Sequence, residues 1–194
     1  SGISSYEKLK GKKNIFIWDD CKIKRKELEK KGYEFTEPIK WPWEKIDLLI
    51  LAPGIALNFG ADSFIIKESK KNKIKVVGDL EVFYQELKSL GIRKKIIAVT
   101  GTNGKSTFVS VLNEILQKSG LKSSIAGNIG IPVLSINADE FDIIILEVSS
   151  FQLELIDQFR ADISVILNVH EDHNERYESY EEYQKTKTKI FLNQ

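Results

Sequence analysis

Residues 99–108 read VTGTNGKSTF. A Gly-x-x-Gly-Lys-Ser-Thr run that follows an apolar strand and opens a helix suits phosphate. Backbone N–H groups at a helix N-terminus point at an anion, and the helix dipole favours negative charge there. Lys105 would reach the β- and γ-phosphates of a nucleotide, and the Ser106 hydroxyl could ligate Mg²⁺. The stretch departs from the usual G-x-x-x-x-G-K-[ST] form, because Val99 stands where the first glycine belongs. A loop one glycine short still supplies its last amides. The competing reading is a tight strand-to-helix turn with Ser106 and Thr107 as ordinary first-turn polar residues.

In an open α/β sheet, ligands sit beyond the carboxyl ends of the strands, so neighbouring strand ends are the next candidates. Glu147 ends the apolar run Ile143-Ile144-Ile145-Leu146. A carboxylate there is costly to desolvate without a partner. A metal bound to nucleotide phosphates is one such partner, and a plain exposed strand end is the alternative. Asn168 ends another apolar run and leads into VHEDHNER. There a neutral His173 could ligate a metal or hydrogen-bond a substrate, with Asp172 orienting it. His170 is read as a loop side chain of no special role.

In the closing stretch YEEYQKTKTKIF, Tyr180, Tyr183, Ile190 and Phe191 fall at helical spacing on one face. At ~100° per residue Lys187 lies in that stripe, whereas Lys185 and Lys189 point outward. A partly buried lysine has a lowered pKa and a larger fraction of free amine, which makes it competent for covalent modification. A snorkelling lysine whose stem covers apolar surface is equally compatible with the spacing.

Short Ile- and Val-rich runs alternate with helical patterns, the signature of βαβ units and an α/β fold built on parallel sheet. Strands are expected over 14–18, 47–52, 75–77, 95–100, 123–126, 142–147 and 162–168. Helices are expected over 22–31, 61–70, 79–90, 105–119 and 179–192. The polar break SLGIRKK (89–95) divides the chain into a small Rossmann-like domain over 1–92 and a phosphate-loop-type, parallel-sheet ATP-binding domain over 93–194.

The chain has 194 residues, 42% hydrophobic and 29% charged, ordinary for a globular protein with a sizeable core. Lys+Arg 29 against Asp+Glu 28 leaves a net charge of +1, which excludes the overall basic field that non-specific nucleic-acid binding needs. The run KIKRKELEKK mixes in acidic residues and reads as a solvated helix face. A single cysteine, Cys21, points to a reducing compartment such as the cytoplasm. No apolar run approaches the ~20 residues that cross a bilayer. The opening SGISSYEKLKGKK lacks the apolar segment of a signal peptide, and the absence of methionine suggests a chain cut at its N-terminus.

Taken together, GTNGKST (101–107), GNIGIP (127–132), LEVSSFQLE (146–154), NVHEDHNERY (168–177) and KTKIF (187–191) resemble the ATP-dependent Mur ligases, in the family's order and across the whole chain. SSFQL, with LAPGIAL (51–57), is most similar to the D-glutamate-adding members. In this family the phosphate loop is the shorter G-T-N-G-K-[ST] form, which accounts for Val99.

The resemblance implies that Gly101, Thr102, Asn103, Gly104, Lys105, Ser106 and Thr107 bind the ATP phosphates, and that Ser106, Glu147 and His173 hold magnesium. It also implies that Lys187 is carbamylated by CO₂ and helps bind a second magnesium, with Lys105, His173 and Lys187 as the catalytic set. Asn128, Ser149 and Gln152 would line the path of the UDP-sugar substrate. Asp19, at the end of the first strand, and the Pro53-Gly54 turn would contact its uridine diphosphate end.

The family's reaction is stepwise. The carboxylate of UDP-N-acetylmuramoyl-L-alanine takes the γ-phosphoryl group of ATP, the amine of D-glutamate attacks the acyl phosphate, and phosphate leaves. Three departures stand out: the family's first strand and most of its G-x-x-x-S-G turn precede Ser1-Gly2, Glu175 replaces the usual aspartate, and His170 replaces a small residue. The family's central domain also runs past the lysine helix, and a third domain follows it. The implied partners are therefore the two substrates and a C-terminal portion, supplied by the same or a separate chain, with neither nucleic acid nor membrane. The alternatives are an inactive nucleotide-binding remnant, or another amino-acid-adding or folylpolyglutamate synthase-type ligase.

Overall fold

Runs of Ile, Val and Leu form the strands, and segments with apolar residues three and four apart form the helices that cover them. The computed structural model describes residues 2–11, 13–57, 63–173 and 175–194. The chain order is α1 (Gly2–Leu9), α2 (Lys22–Glu29), β1 (Leu48–Ile50), α3 (Phe64–Lys71), β2 (Lys75–Val77), α4 (Asp79–Ser89), β3 (Lys95–Thr100) and α5 (Lys105–Lys118). It continues with β4 (Ser123–Gly127), β5 (Ile143–Glu147), α6 (Ser150–Leu153), β6 (Ile163–Ile166) and α7 (Tyr180–Thr188).

Strands β1 and β2 pair in parallel, Leu49 beside Val76. The other four form a parallel sheet in the order β4-β5-β3-β6. Its register aligns Gly127 with Glu147, Glu147 with Val99 and Thr100 with Ile166, so four carboxyl ends form one row. Alternate side chains go to opposite faces. Val99 and Ile145 pack with Val109 of α5 on one face. Ile96, Ala98, Ile144 and Leu146 share the other with Leu80 and Phe83 of α4, with Val77 of β2 and with Ile190. The core is therefore continuous between the two sheets. Glu81 fastens the same junction, its fully buried carboxylate accepting the N–H groups of Asp157, Gln158 and Phe159 at 2.8–3.0 Å.

The α/β architecture agrees with the sequence expectation, and three local expectations are corrected. Residues 14–18 are not a strand: among the described residues one backbone bond, Thr36 N–H to the Ile17 carbonyl at 3.3 Å, replaces a ladder, because no described strand lies alongside. Asp19 accordingly precedes α2 instead of ending a strand. The polar opening forms α1. The last helix is α only to Thr188 and tightens to a 3₁₀ turn over Lys189–Phe191, leaving Phe191 44% exposed. Ser1 of the expected turn, Ala61 and Asp62 of the helix expected over 61–70, and Asn174 lie outside the described residues.

Candidate functional site

β3 delivers Gly101 to the row of strand ends, and Gly104 turns the chain into α5. Gly104 has φ 81°, a left-handed conformation that residues with a Cβ rarely adopt. Asn168 clamps the loop from the β6 side. Its carbonyl accepts the Thr102 N–H at 3.1 Å, its Oδ1 accepts the Asn103 N–H at 3.0 Å, and its Nδ2 donates to the Asn103 carbonyl at 3.0 Å. With those two amides committed, the N–H groups open to an anion are those from Gly104 onward, where a helix's first turn has no intrahelical partners. This is how a short loop works: its front half is held by the protein and its back half faces the ligand. Thr102 Oγ1 also joins the backbone of His170 and the Tyr183 hydroxyl. The Lys105 ammonium folds back onto the carbonyls of Gly101 and Thr102 at 2.8 and 2.9 Å, while Ser106 and Thr107 are exposed at the head of α5.

Glu147 is 1% exposed at the end of β5. Its Oε1 accepts from Asn128 Nδ2 at 2.9 Å, and the Asn128 N–H donates to the Glu147 carbonyl at 2.9 Å. A Cβ on Gly127 would come within 2.5 Å of that carbonyl, so glycine permits the close approach. Glu147 Oε2 is buried with no hydrogen-bond partner among the described residues. An unpartnered buried carboxylate oxygen is expensive, and a cation satisfies it. No group of three or more His, Cys, Asp or Glu side chains converges to hold a metal among the described residues. Mg²⁺ takes one or two carboxylates and completes its shell with phosphate oxygens and water.

His173 lies beyond β6, so Glu147 and His173 flank the loop on either side of β3. His173 adopts φ 57° and its N–H bonds to Asp172 Oδ1 at 2.9 Å. Its ring nitrogens lie 3.6 Å from Asp172 and 3.4 Å from Glu175. The ring packs 4.7 Å from Phe151 and 6.0 Å from Tyr183, between α6 and α7.

Lys187 is 2% exposed. Its Nζ donates to the Gly101 carbonyl at 3.0 Å and sits 4.7 Å from the Tyr183 ring centre. Burial, reinforced by the Lys105 charge and only partly offset by Asp172, pushes its pKa from 10.5 down to about 8. The inward stripe read from the sequence therefore holds for Lys187.

Ser149 and Gln152 cap α6 reciprocally, and the Gln152 amide reaches Asp79 Oδ1 at 3.3 Å. Both ends of the Gln152 amide are thus engaged within the fold. Pro53 and Gly54 form the turn after β1, closed by the Ile55 N–H to the Ala52 carbonyl at 3.0 Å. Asp19 Oδ1 accepts the Cys21 N–H at 2.9 Å at the start of α2. The described contacts of Asp19 join it to α2 and to none of the other candidates.

Two residues of the site, and one beside it, escaped the sequence reading. Asn168 was noticed only as a strand end. Thr100 is fully buried and its Oγ1 has no partner among the described residues. The signal that exposed Glu147, a polar side chain closing an apolar run, applied equally to Thr100. Arg176, 8% exposed and paired with Glu154 at 2.7 Å, carried no local signal.

The Mur ligase middle domain profile matches residues 99–194. Over 193 residues the chain is 40% identical to the UDP-N-acetylmuramoylalanine–D-glutamate ligase of Rickettsia bellii, covering 98% of this chain and 41% of that protein. It is 37% identical to the enzyme of the same name from Wolbachia pipientis, covering 36% of it. The chain thus spans about two fifths of the length of the curated relatives it matches. Among solved structures it is similar in fold to the UDP-N-acetylmuramate:L-alanyl-gamma-D-glutamyl-meso-diaminopimelate ligase of Neisseria meningitides. That match has TM-score 0.54 at 16% identity and covers 99% of this chain and 64% of that one.

Proposed function

We propose, from the match of residues 99–194 to the Mur ligase middle domain, that this chain is the part of a D-glutamate-adding ligase that holds ATP and the UDP-sugar substrate. The names of the relatives at 40% and 37% identity support the choice of D-glutamate and UDP-N-acetylmuramoyl-L-alanine. The observation that carries phosphoryl transfer is Glu147 Oε2, a buried carboxylate oxygen without a hydrogen-bond partner among the described residues, beside a helix N-terminus primed for phosphate.

In this reading the amides from Gly104 to Thr107 cradle the phosphates, and Lys105 exchanges its two loop carbonyls for phosphate oxygens. Ser106, Glu147 and His173 hold magnesium, which when bound neutralises charge on the transferring group. The substrate carboxylate attacks the γ-phosphorus and ADP leaves. The D-glutamate amine then adds to the acyl phosphate, loses a proton, and expels phosphate; the protein's work is placement and charge compensation. Lys187, as a neutral amine, adds to CO₂ and loses a proton, giving a carboxylate that helps hold a second magnesium. Asn128, Ser149 and Gln152 flank the UDP-sugar, and the Pro53-Gly54 turn and Asp19 meet its diphosphate end. Residues 1–92 and 93–194 act as its UDP-binding and ATP-binding units, and the free Cys21 thiol suits a cytoplasmic setting.

Because the chain spans 41% of its relative, a second reading is ATP binding without turnover by this piece alone. The test incubates the chain with ATP, Mg²⁺, UDP-N-acetylmuramoyl-L-alanine and D-glutamate, alone and with a separately expressed C-terminal portion. Phosphate release with the added portion supports the ligase. Nucleotide binding without release in either mixture favours the second reading, and no nucleotide binding overturns both.

A further inference from the structure

The segment after β6 and the turn after β1 come from opposite halves of the chain, and one guanidinium joins them. Arg176 Nε and Nη2 donate to the two oxygens of Glu154 at 3.1 and 2.7 Å, and Nη2 also donates to the Ile55 carbonyl at 3.0 Å. The guanidinium lies 4.3 Å over the Phe151 ring, which also packs 4.7 Å from His173 and 6.3 Å from Tyr177. The Arg176 N–H donates to the His173 carbonyl at 2.8 Å, helping to hold His173 at its positive φ. Arg176 therefore touches the His173 loop directly through its main chain and, by way of the Phe151 ring, indirectly through its side chain, and through Ile55 it holds the turn that carries Pro53 and Gly54.

A buried ion pair is weak support for stability, since a packed apolar pair is often as good or better. What arginine adds is a rigid fork that binds a carboxylate and a carbonyl in fixed relative positions. We propose that Arg176 is a positioning residue that couples the two ends of the site: filling the phosphate site tightens the Ala52–Ile55 turn and raises affinity for a uridine diphosphate group, and the reverse. The choice of ligands rests on the function proposed above. Coupling of this kind is reciprocal and commonly 5- to 150-fold.

The test compares the wild-type chain with Arg176→Lys and with the apolar pair Arg176→Met/Glu154→Leu, which keeps the interior filled. Without ligand, Arg176→Lys should speed amide exchange at Ile55 several-fold and shift the His173 ring resonances in the same sample. No change in either overturns the proposal whatever the chain binds. With an ATP analogue and Mg²⁺, the wild-type should bind UDP at least about 5-fold more tightly, and both variants should lose that gain while keeping analogue affinity within about threefold of wild-type. Analogue binding with no gain in UDP affinity, or variants that keep the gain, overturns the coupling. Failure of the analogue to bind overturns the proposed function instead, and the ligand-free arm still decides Arg176.

Discussion

Lys105 and Lys187 donate to one oxygen, the Gly101 carbonyl, at 2.8 and 3.0 Å. Burial first, and the neighbouring Lys105 ammonium second, lower the basicity of Lys187. Between pH 8 and 10.5 the unfolded chain holds a proton on this lysine that the folded chain has released. Stability should therefore rise with pH across that window, by about 3 kcal/mol for the full shift. Denaturant melts at stepped pH should show the rise for wild-type and a flatter profile for Lys187→Met. Equal slopes would mean that Lys187 titrates normally.

The same pair predicts a response at a distance. Lys105→Met removes the neighbouring charge but leaves Lys187 buried, so the Lys187 pKa should climb from about 8 part of the way to 10.5. Carbon-13 shifts of the labelled lysine side chain, followed against pH, read this directly. A titration unmoved by Lys105→Met would leave burial as the whole cause.

For Glu147, ligand-free stability and ligand binding should part company. Glu147→Gln keeps an acceptor for Asn128 and replaces a buried carboxylate whose Oε2 has no partner among the described residues. Thermal stability should hold or rise by about 1 kcal/mol. If that oxygen serves a cation, the gain in ATP-analogue affinity on adding Mg²⁺ should shrink at least tenfold, measured by calorimetry with and without the metal. A variant that keeps the magnesium gain would remove Glu147 from the metal site.

Why Glu147 was legible and Asn168 was not is a matter of range. A charge closing the run Ile143–Leu146 contradicts its own neighbours, so the anomaly is local. The strands over 75–77 and 95–100 were legible for the same reason, as short apolar runs between polar ones. The Asn168 clamp exists only because β6 lies beside β3, an adjacency of the sheet order that no local pattern encodes. Residues 14–18 failed in the opposite sense: they form a short apolar run as a strand does, but a ladder needs a neighbour. Arg176 looks like any surface arginine until the fold brings Glu154 and Ile55 to it.

Glu81 offers a test of the join between the sheets. Its carboxylate accepts three successive backbone N–H groups at 2.8–3.0 Å from full burial. Glu81→Gln turns one acceptor into a donor facing donors, which should cost about 3 kcal/mol. The loss should appear in amide exchange at Asp157–Phe159 as well as in the global melt. An unchanged melt would show that the capped turn contributes nothing to holding the halves together.

Asn168 sets the shape of the phosphate loop before any ligand arrives. Asn168→Ala keeps its main-chain bond to Thr102 but removes both side-chain bonds to the Asn103 peptide. The exposed loop amide can turn to water, so the stability cost should be modest, about 1 kcal/mol. The larger effect should fall on binding, because the amides from Gly104 onward converge on an anion only while the peptide before them is fixed. Affinity for an ATP analogue should drop about tenfold, with faster exchange confined to Thr102–Gly104. Asn168→Asp separates the parts of the clamp: it keeps the acceptor for the Asn103 N–H, loses the donor to its carbonyl, and adds negative charge beside the phosphates. It should bind the analogue more weakly than Asn168→Ala in low salt and approach it as salt screens the charge. If both variants bind as wild-type does, the loop is shaped by Gly104 and α5 alone.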